Sequence, residues 1–347
     1  MKRGYISFLS ALAVFVMASC KTLEPDDSGV PAGYGKIIVN VAVSDCSTRS
    51  VESFDYEQGI NTMQFLVFDS QGRLLCYSQT PQLEGVPAGN CEVWVVANGP
   101  DFSDVMDRSS LMNKEILLSD NSTDPSKGFV MRGSTSVTVL KDESVPASIV
   151  LERMVSRIRI NNIINSVHLF YGDIILKYVY LANVVGNQNV SGTAEPVIWY
   201  NKCGCVGGIE GQEIDGETYL AEIPDMTYRN LNVTIPNQNA ENVGVCVYGF
   251  ENNETLISKD FPFTPRLPRL YFVFSICNPN TDEWEDKRYS IVLDAMLPNV
   301  SYDLDFELTM VPPGEENRID NEELFEIEIT SSMVSGYNTI NGGNLNI

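Results

Sequence analysis

From Lys36 onward the chain is written in short runs in which apolar and polar residues alternate, each closed by Gly, Pro, Asn or Asp. Alternation places every second side chain on one face of an extended backbone, so each run predicts a strand with one face in a core. Lys36–Val43 is the first. Met63–Asp69 follows, and the turn Ser70–Gly72 returns it into Leu74–Tyr77. Cys91–Ala97 ends at Asn98-Gly99-Pro100, a strong breaker. Ser136–Leu140, Ala147–Leu151 and Ser156–Ile160 resume the pattern, the last with Arg157 and Arg159 on one face against Ile158 and Ile160. One helix is expected, within Asp101–Leu118, where Phe102, Val105, Met106 and Leu111 fall at mixed helical spacing and Asp104 stands near the start.

The second half predicts more strands at Asp173–Asn183, Asn230–Ile235, Gly244–Gly249, Leu270–Ile276, Tyr289–Leu293 and Tyr302–Met310, all rich in β-branched or aromatic residues. No fixed-period repeat interrupts them. The expected fold is therefore all-β with minor α content, as two β-sandwich domains in tandem that divide near Met154. After Val311-Pro312-Pro313-Gly314 comes a charged spacer, Glu315–Glu323. Leu324–Val334 then alternates again, with Phe325, Ile327 and Ile329 on one face. A strand beyond such a spacer either reaches another molecule or folds back on its own sheet.

The front of the chain has a different pattern. Met1-Lys2-Arg3-Gly4 precedes an apolar stretch, Tyr5–Met17, and then Ala18-Ser19-Cys20, the order of charged region, apolar region and small-residue cleavage site in a signal peptide. The stretch is too short for a permanent bilayer span. Met17-Ala18-Ser19-Cys20 resembles the lipobox of bacterial lipoproteins, with Met17 where Leu is commoner. That resemblance implies cleavage before Cys20 and lipid on its thiol, so attachment to the outer membrane is expected through lipid alone. Residues 1–19 are expected as signal peptide, 20–34 as a tether, 35–153 and 154–311 as the two domains, and 312–347 as spacer and final strand.

Composition narrows the function. With 23 basic and 46 acidic residues the net charge is −23, which excludes nucleic acid as a partner because polyphosphate needs a basic face. Beyond Cys20 lie Cys46, Cys76, Cys91, Cys203, Cys205, Cys246 and Cys277, too irregular for a disulfide framework. Cys76, Cys91, Cys246 and Cys277 sit in apolar runs and are expected as buried small hydrophobes. Catalytic chemistry finds no foothold. His168, the single histidine, lies in Ser166–Phe170, an apolar strand-like context, and is expected to be structural. No phosphate loop, nucleophile elbow or zinc pair occurs. Asp282, Glu283, Glu285 and Asp286 around Trp284 are expected as a solvated turn, and neither a metal nor a cofactor is expected. An enzyme is not indicated. A glycan-binding lipoprotein, with Trp199, Tyr200 and Trp284 stacking on sugar rings, is the alternative of another class.

Four segments together resemble the Bacteroidales fimbrillins, the subunits of type V pili: the lipoprotein start ending at Cys20, Met63–Gly72, Val93–Pro100 and Leu151–Ile160. Val93-Trp-Val-Val-Ala-Asn98 is the most specific of them. The resemblance implies transthyretin-like sandwiches, a surface fimbrium that supports adhesion, and assembly by strand exchange in place of catalysis. An arginine-specific protease would cut after the first strand, and a neighbour's C-terminal strand would fill the vacated groove. The matching parts here are Lys36, Ile37, Ile38, Val39, Val41 and Val43 as the displaced strand, Arg49 and Ser50 as the processing site, and Phe325, Ile327, Ile329 and Met333 as the donor. Arg49 also reads as an ordinary loop arginine. The implied partners are other fimbrial subunits, the outer membrane through lipid on Cys20, the protease and an unidentified adhesion ligand. A tryptophan is expected soon after the donor alternation, and Ser331–Tyr337 lacks one, which weakens the donor assignment and keeps a tip role beside that of a shaft subunit; an anchor, which keeps its lipid and needs only the tail, is the other alternative.

Overall fold

The computed structural model describes residues 33–44, 54–201, 212–214, 217–220, 224–252, 267–293, 295–311, 325–326 and 328–336, with backbone alone at residue 55, at 212–220 and beyond 324. The first half forms β1 (Tyr34–Val43), β2 (Met63–Asp69), β3 (Leu74–Ser78), β4 (Gln82–Pro87), β5 (Gly89–Ala97), β6 (Glu115–Leu117), β7 (Met131–Val139) and β8 (Ser144–Arg153). Two short helices accompany them, α1 (Asp55–Gln58) and α2 (Arg108–Asn113). The second half forms β9 (Val155–Asn165), β10 (Ile174–Ala182), β11 (Val184–Val185), β12 (Asn187–Asn189), β13 (Ile198–Tyr200), β14 (Gln212–Ile214), β15 (Glu217–Leu220) and β16 (Tyr228–Ile235). It continues through β17 (Ala240–Phe250), β18 (Arg269–Asn278), β19 (Glu283–Val292), β20 (Val300–Leu308), β21 (Phe325–Glu326) and β22 (Glu328–Gly336).

Seven strands of the first half run in the order β3-β2-β5-β7-β8-β1-β4. β7 and β8 pair only where Met131 meets Arg153 and Arg132 meets Glu152, so the sheet folds over there. Ile37, Val39, Leu83, Ala147, Ile149 and Leu151 from one half then close a core on Phe65, Val67, Val93 and Val95 from the other. At the fold, Gly133 lies so close that an added Cβ would stand 2.3 Å from the Val150 carbonyl oxygen. β2 is apolar on both faces for a reason: Phe65 and Val67 enter this core, whereas Leu66 and Phe68 enter a second one behind the sheet.

That second core is continuous with the interior of the C-terminal half. Sheets β16-β10-β18-β19-β21 and β17-β9-β20-β22 face each other across Ile158, Leu176, Val247, Phe274 and Leu304, and Phe272 meets Phe306 across the gap at 4.7 Å. Two small sheets complete the half, β11-β13-β15-β14 and the pair β6-β12, the latter joining the two halves of the chain.

Several expectations are corrected here. The helix foreseen over Asp101–Leu118 is only α2. Asp107, not Asp104, caps it by accepting from Ser110 N at 2.7 Å, while Phe102 and Val105 are buried in turns before it. After Asn113 the chain leaves the helix to pair β6 with β12, because edge pairing plus burial of Ile116 outweighs weak local helix preference. His168 is exposed and outside any strand. Its Nδ1 accepts from Phe170 N, capping a 3-10 turn at Leu169–Tyr171. Of the acidic segment around Trp284, Asp282 closes a turn at φ 59°, whereas Glu283, Glu285 and Asp286 lie in the start of β19, paired with β18. Cys76, Cys91 and Cys246 are buried as expected, but Cys277 is only partly so.

Candidate functional site

β1 lies between two strands that run in opposite directions. It runs parallel to β8, with Lys36–Val43 opposite Ser144–Leu151, and antiparallel to β4, with Tyr34–Ile38 opposite Gln82–Pro87. Its alternation is the one read from the sequence. Ile37 and Val39 are buried, Val41 and Val43 pack partly against the same core, and Ile38 is exposed on the other face. Burial of Ile37 and Val39 is worth about 1.5–3 kcal/mol each. Lys36 lies along the outer face, its Nζ donating to Gln82 Oε1 at 3.1 Å and Glu84 Oε1 at 2.9 Å. Withdrawal of β1 would leave two unpaired strand edges and an apolar slot between them.

The two ends of β1 are fixed differently. At the start, Asp142 N donates to the Tyr34 carbonyl at 2.9 Å, and Gly35 passes so near the β7–β8 turn that a Cβ there would sit 2.4 Å from the Leu140 oxygen. At the finish, Ser44 N donates to the Leu151 carbonyl at 2.9 Å, the Arg153 guanidinium donates to the Ser44 carbonyl at 3.0 Å, and Asn299 Nδ2 donates to Ser44 Oγ at 3.2 Å. The same guanidinium donates through Nε to the carbonyl of Glu57 at 2.6 Å. Both flanks of the segment 45–53 are therefore held by one buried arginine. Arg49 and Ser50 lie in that segment, outside the described residues, as does Cys20.

Arg153 belongs to a larger buried network that no strand pattern announces. Arg157 donates to both carboxylate oxygens of Glu57 at 3.0 Å and through Nε to Ser301 Oγ at 2.8 Å. Tyr248 donates to Glu57 Oε1 at 2.8 Å, and its hydroxyl lies 3.1 Å from that of Tyr56. The one sequence signal was two arginines in an otherwise apolar strand. Near them the Asp303 carboxyl is held above its usual range, chiefly by burial, against the pull of Arg157 and Arg159.

At the other terminus, β22 pairs antiparallel with β20, Glu328 opposite Glu307 and Gly336 opposite Val300, and is the last strand of its sheet. Phe325 lies opposite Tyr289 in a short parallel pairing of β21 with β19. The backbones of Phe325, Ile329 and Met333 thus lie on their own chain's sheets, and Ile327 is outside the described residues. Of the aromatic residues considered for sugar stacking, Trp199 is fully buried and Tyr200 is 8% exposed; Trp284 alone is open, at 53%. Those three do not form a platform.

No protein-family model matches this sequence, and no curated protein matches it. Solved structures do. A candidate cell adhesion protein from Bacteroides eggerthii superposes with a TM-score of 0.59 at 16% identity, over 88% of this chain and 96% of its own. One from Parabacteroides distasonis gives 0.58 at 14%, over 90% and 99%. A fimbrilin from Porphyromonas gingivalis W83 gives 0.56 at 13%, over 90% and 99%. At such identities the likeness is one of fold, and it spans nearly the whole of each chain: this protein has the all-β fold of the fimbrillin-like proteins of the Bacteroidales.

Proposed function

We propose that this chain is a subunit of a surface fimbrium that is exported as a lipoprotein, joins its neighbours by strand exchange and supports adhesion. The observation that carries the reading is the seat of β1, an amphipathic strand whose removal opens a ready-made slot between β4 and β8. Residues 1–19 are removed, Cys20 carries acyl chains such as palmitate, and the lipid holds the chain at the outer membrane. An arginine-specific protease cuts between Arg49 and Ser50, freeing β1. The neighbour's tail, built around Phe325, Ile327, Ile329 and Met333, then fills the slot and satisfies the exposed backbone. β21 and β22 are each the last strand of their sheet, so the tail leaves its own chain at the cost of two edge ladders, the short one on β19 and the longer one on β20. Residues 312–324 reach at most about 45 Å when extended, enough to cross to an adjoining subunit. In this reading residues 35–153 and 154–311 act as two transthyretin-like sandwich units.

The test is digestion of the purified chain with an arginine-specific protease, followed by N-terminal sequencing and denaturing electrophoresis without heating. A new terminus at Ser50 together with a ladder of oligomers is expected, and deletion of Leu324–Ile347 should abolish the ladder while leaving the cut. Ladders that persist after the deletion would overturn strand donation. A lipidated, uncut Cys20 on surface-extracted protein would shift the assignment to an anchor, and cutting without donation to a tip.

A further inference from the structure

The end of the C-terminal half remote from β1 carries a solvent-exposed apolar crest. Leu169 and Phe170 are 72% and 75% exposed, the most open of the large apolar side chains described. They do not sit on a loose loop. The His168 ring stacks on Phe170 at 4.7 Å, and Gly172 turns the chain at φ +63°. Asn165 and Asn237 both donate to the Gly172 carbonyl, at 3.2 and 2.9 Å, while Gln238 donates to the Val167 carbonyl at 2.9 Å. Ser166 N donates to the Leu308 carbonyl at 2.9 Å, tying the crest to the end of β20. Two residues further on, Met310 is 58% exposed, its carbonyl accepting from Tyr289. Apolar side chains presented on a braced turn are pre-organised for contact, since little freedom is lost when they are covered.

Two features identify what covers them. The donor segment departs from this same end, because Val311 follows Met310 directly and residues 312–324 lead from it to β21. A strand that takes over the β1 ladders in β1's own direction runs parallel to β8 and enters its acceptor at the Tyr34 end. That end carries exposed Tyr34 and Leu140, each 48% open, beside the slot. A subunit passing its tail forward therefore brings its own crest up to the slot mouth of the next copy. For a chain of net charge −23, an apolar seat also offsets the repulsion between copies.

Resting on the polymer reading above, we infer that Leu169, Phe170 and Met310 form the seat against which the next copy of this chain docks, at the mouth of its β1 slot beside Leu140. The experiment compares the full chain with its L169S/F170S variant after arginine-specific cleavage, scoring ladder growth and, separately, capture of a synthetic peptide of residues 325–336. The variant should capture peptide as the parent does yet form ladders about tenfold more slowly, the effect of losing anchor contacts at an interface. F170Q alone should give a smaller slowing in the same direction. Parental ladder growth in either variant overturns the seat. A double variant that also fails to capture peptide leaves F170Q as the deciding comparison, and a parent that neither captures peptide nor forms ladders sinks the polymer reading and the seat with it.

Discussion

Arg157 holds both carboxylate oxygens of Glu57 at 3.0 Å, and neither side chain reaches solvent. The pair joins α1, which follows the segment bearing Arg49, to the first strand of the C-terminal half. Removing one partner strands the other charge in a low-dielectric interior. E57A or R157A should each cost about 3–5 kcal/mol in chemical denaturation, whereas E57L/R157M should cost less than either single change. A double variant as unstable as the sum of the singles would refute the coupling.

Asn98 is the hub of its turn. Its backbone is left-handed at φ 55°, its Oδ1 accepts from Asn61 N and Thr62 N, and its Nδ2 donates to the Gly59 and Phe129 carbonyls. N98A loses these bonds and adds backbone strain, so a loss of about 2–4 kcal/mol in denaturant unfolding is expected. N98G keeps the turn but not the bonds and should fall between the two.

The β2–β3 turn is pH-sensitive in a defined direction. Burial alone would raise the Asp69 carboxyl, but donation from Arg73 and from the amide of Gln71 more than offsets it and holds the group below its ordinary value of 3.8. A depressed carboxylate stabilises the fold above its unfolded pKa and loses that contribution as pH falls through the folded one. D69N should therefore melt below the parent at pH 7, and the gap should close as the pH drops under about 4. A gap that widens in acid would contradict the sign.

Thiol reactivity should follow burial. Desolvation, with the Asp69 charge adding to it, pushes Cys91 up to about 11. Desolvation also carries Cys246 to about 11, against the opposing pull of Arg157. Iodoacetamide at pH 8, read by peptide mass mapping, should leave both unmodified in the native protein and label them after unfolding. Cys277, partly exposed but raised by desolvation and the Asp282 carboxylate, should label slowly without unfolding.

Strands were legible where an alternating or apolar run meets a core; β4 went unseen, because its buried Leu83 and Val86 stand three residues apart around Gly85. β1, β2, β5 and β18 follow the alternation or apolar runs of Lys36–Val43, Met63–Asp69, Cys91–Ala97 and Leu270–Ile276. The short strands β11 to β15 went unseen because two to four residues carry too little period to register. The spacing of Phe102, Val105 and Leu111 suggested a helix because those residues share one core, although turns bring most of them there. His168 looked strand-bound only because its neighbours are apolar, and Leu169 and Phe170 face solvent.

By itself the sequence determined the periodicity and hence the β class, since alternation is a local property that each run carries unaided. It also supplied the parts of the candidate exchange site, the amphipathic first strand and the detached last one. Only the tertiary structure decided their partners. β1 found its parallel neighbour in β8, far along the chain; Glu57 met Arg157 from another element; and β22 took the open edge of β20. Such pairings depend on which edges and which buried charges remain unsatisfied once the whole chain has folded, and no run of residues contains that information.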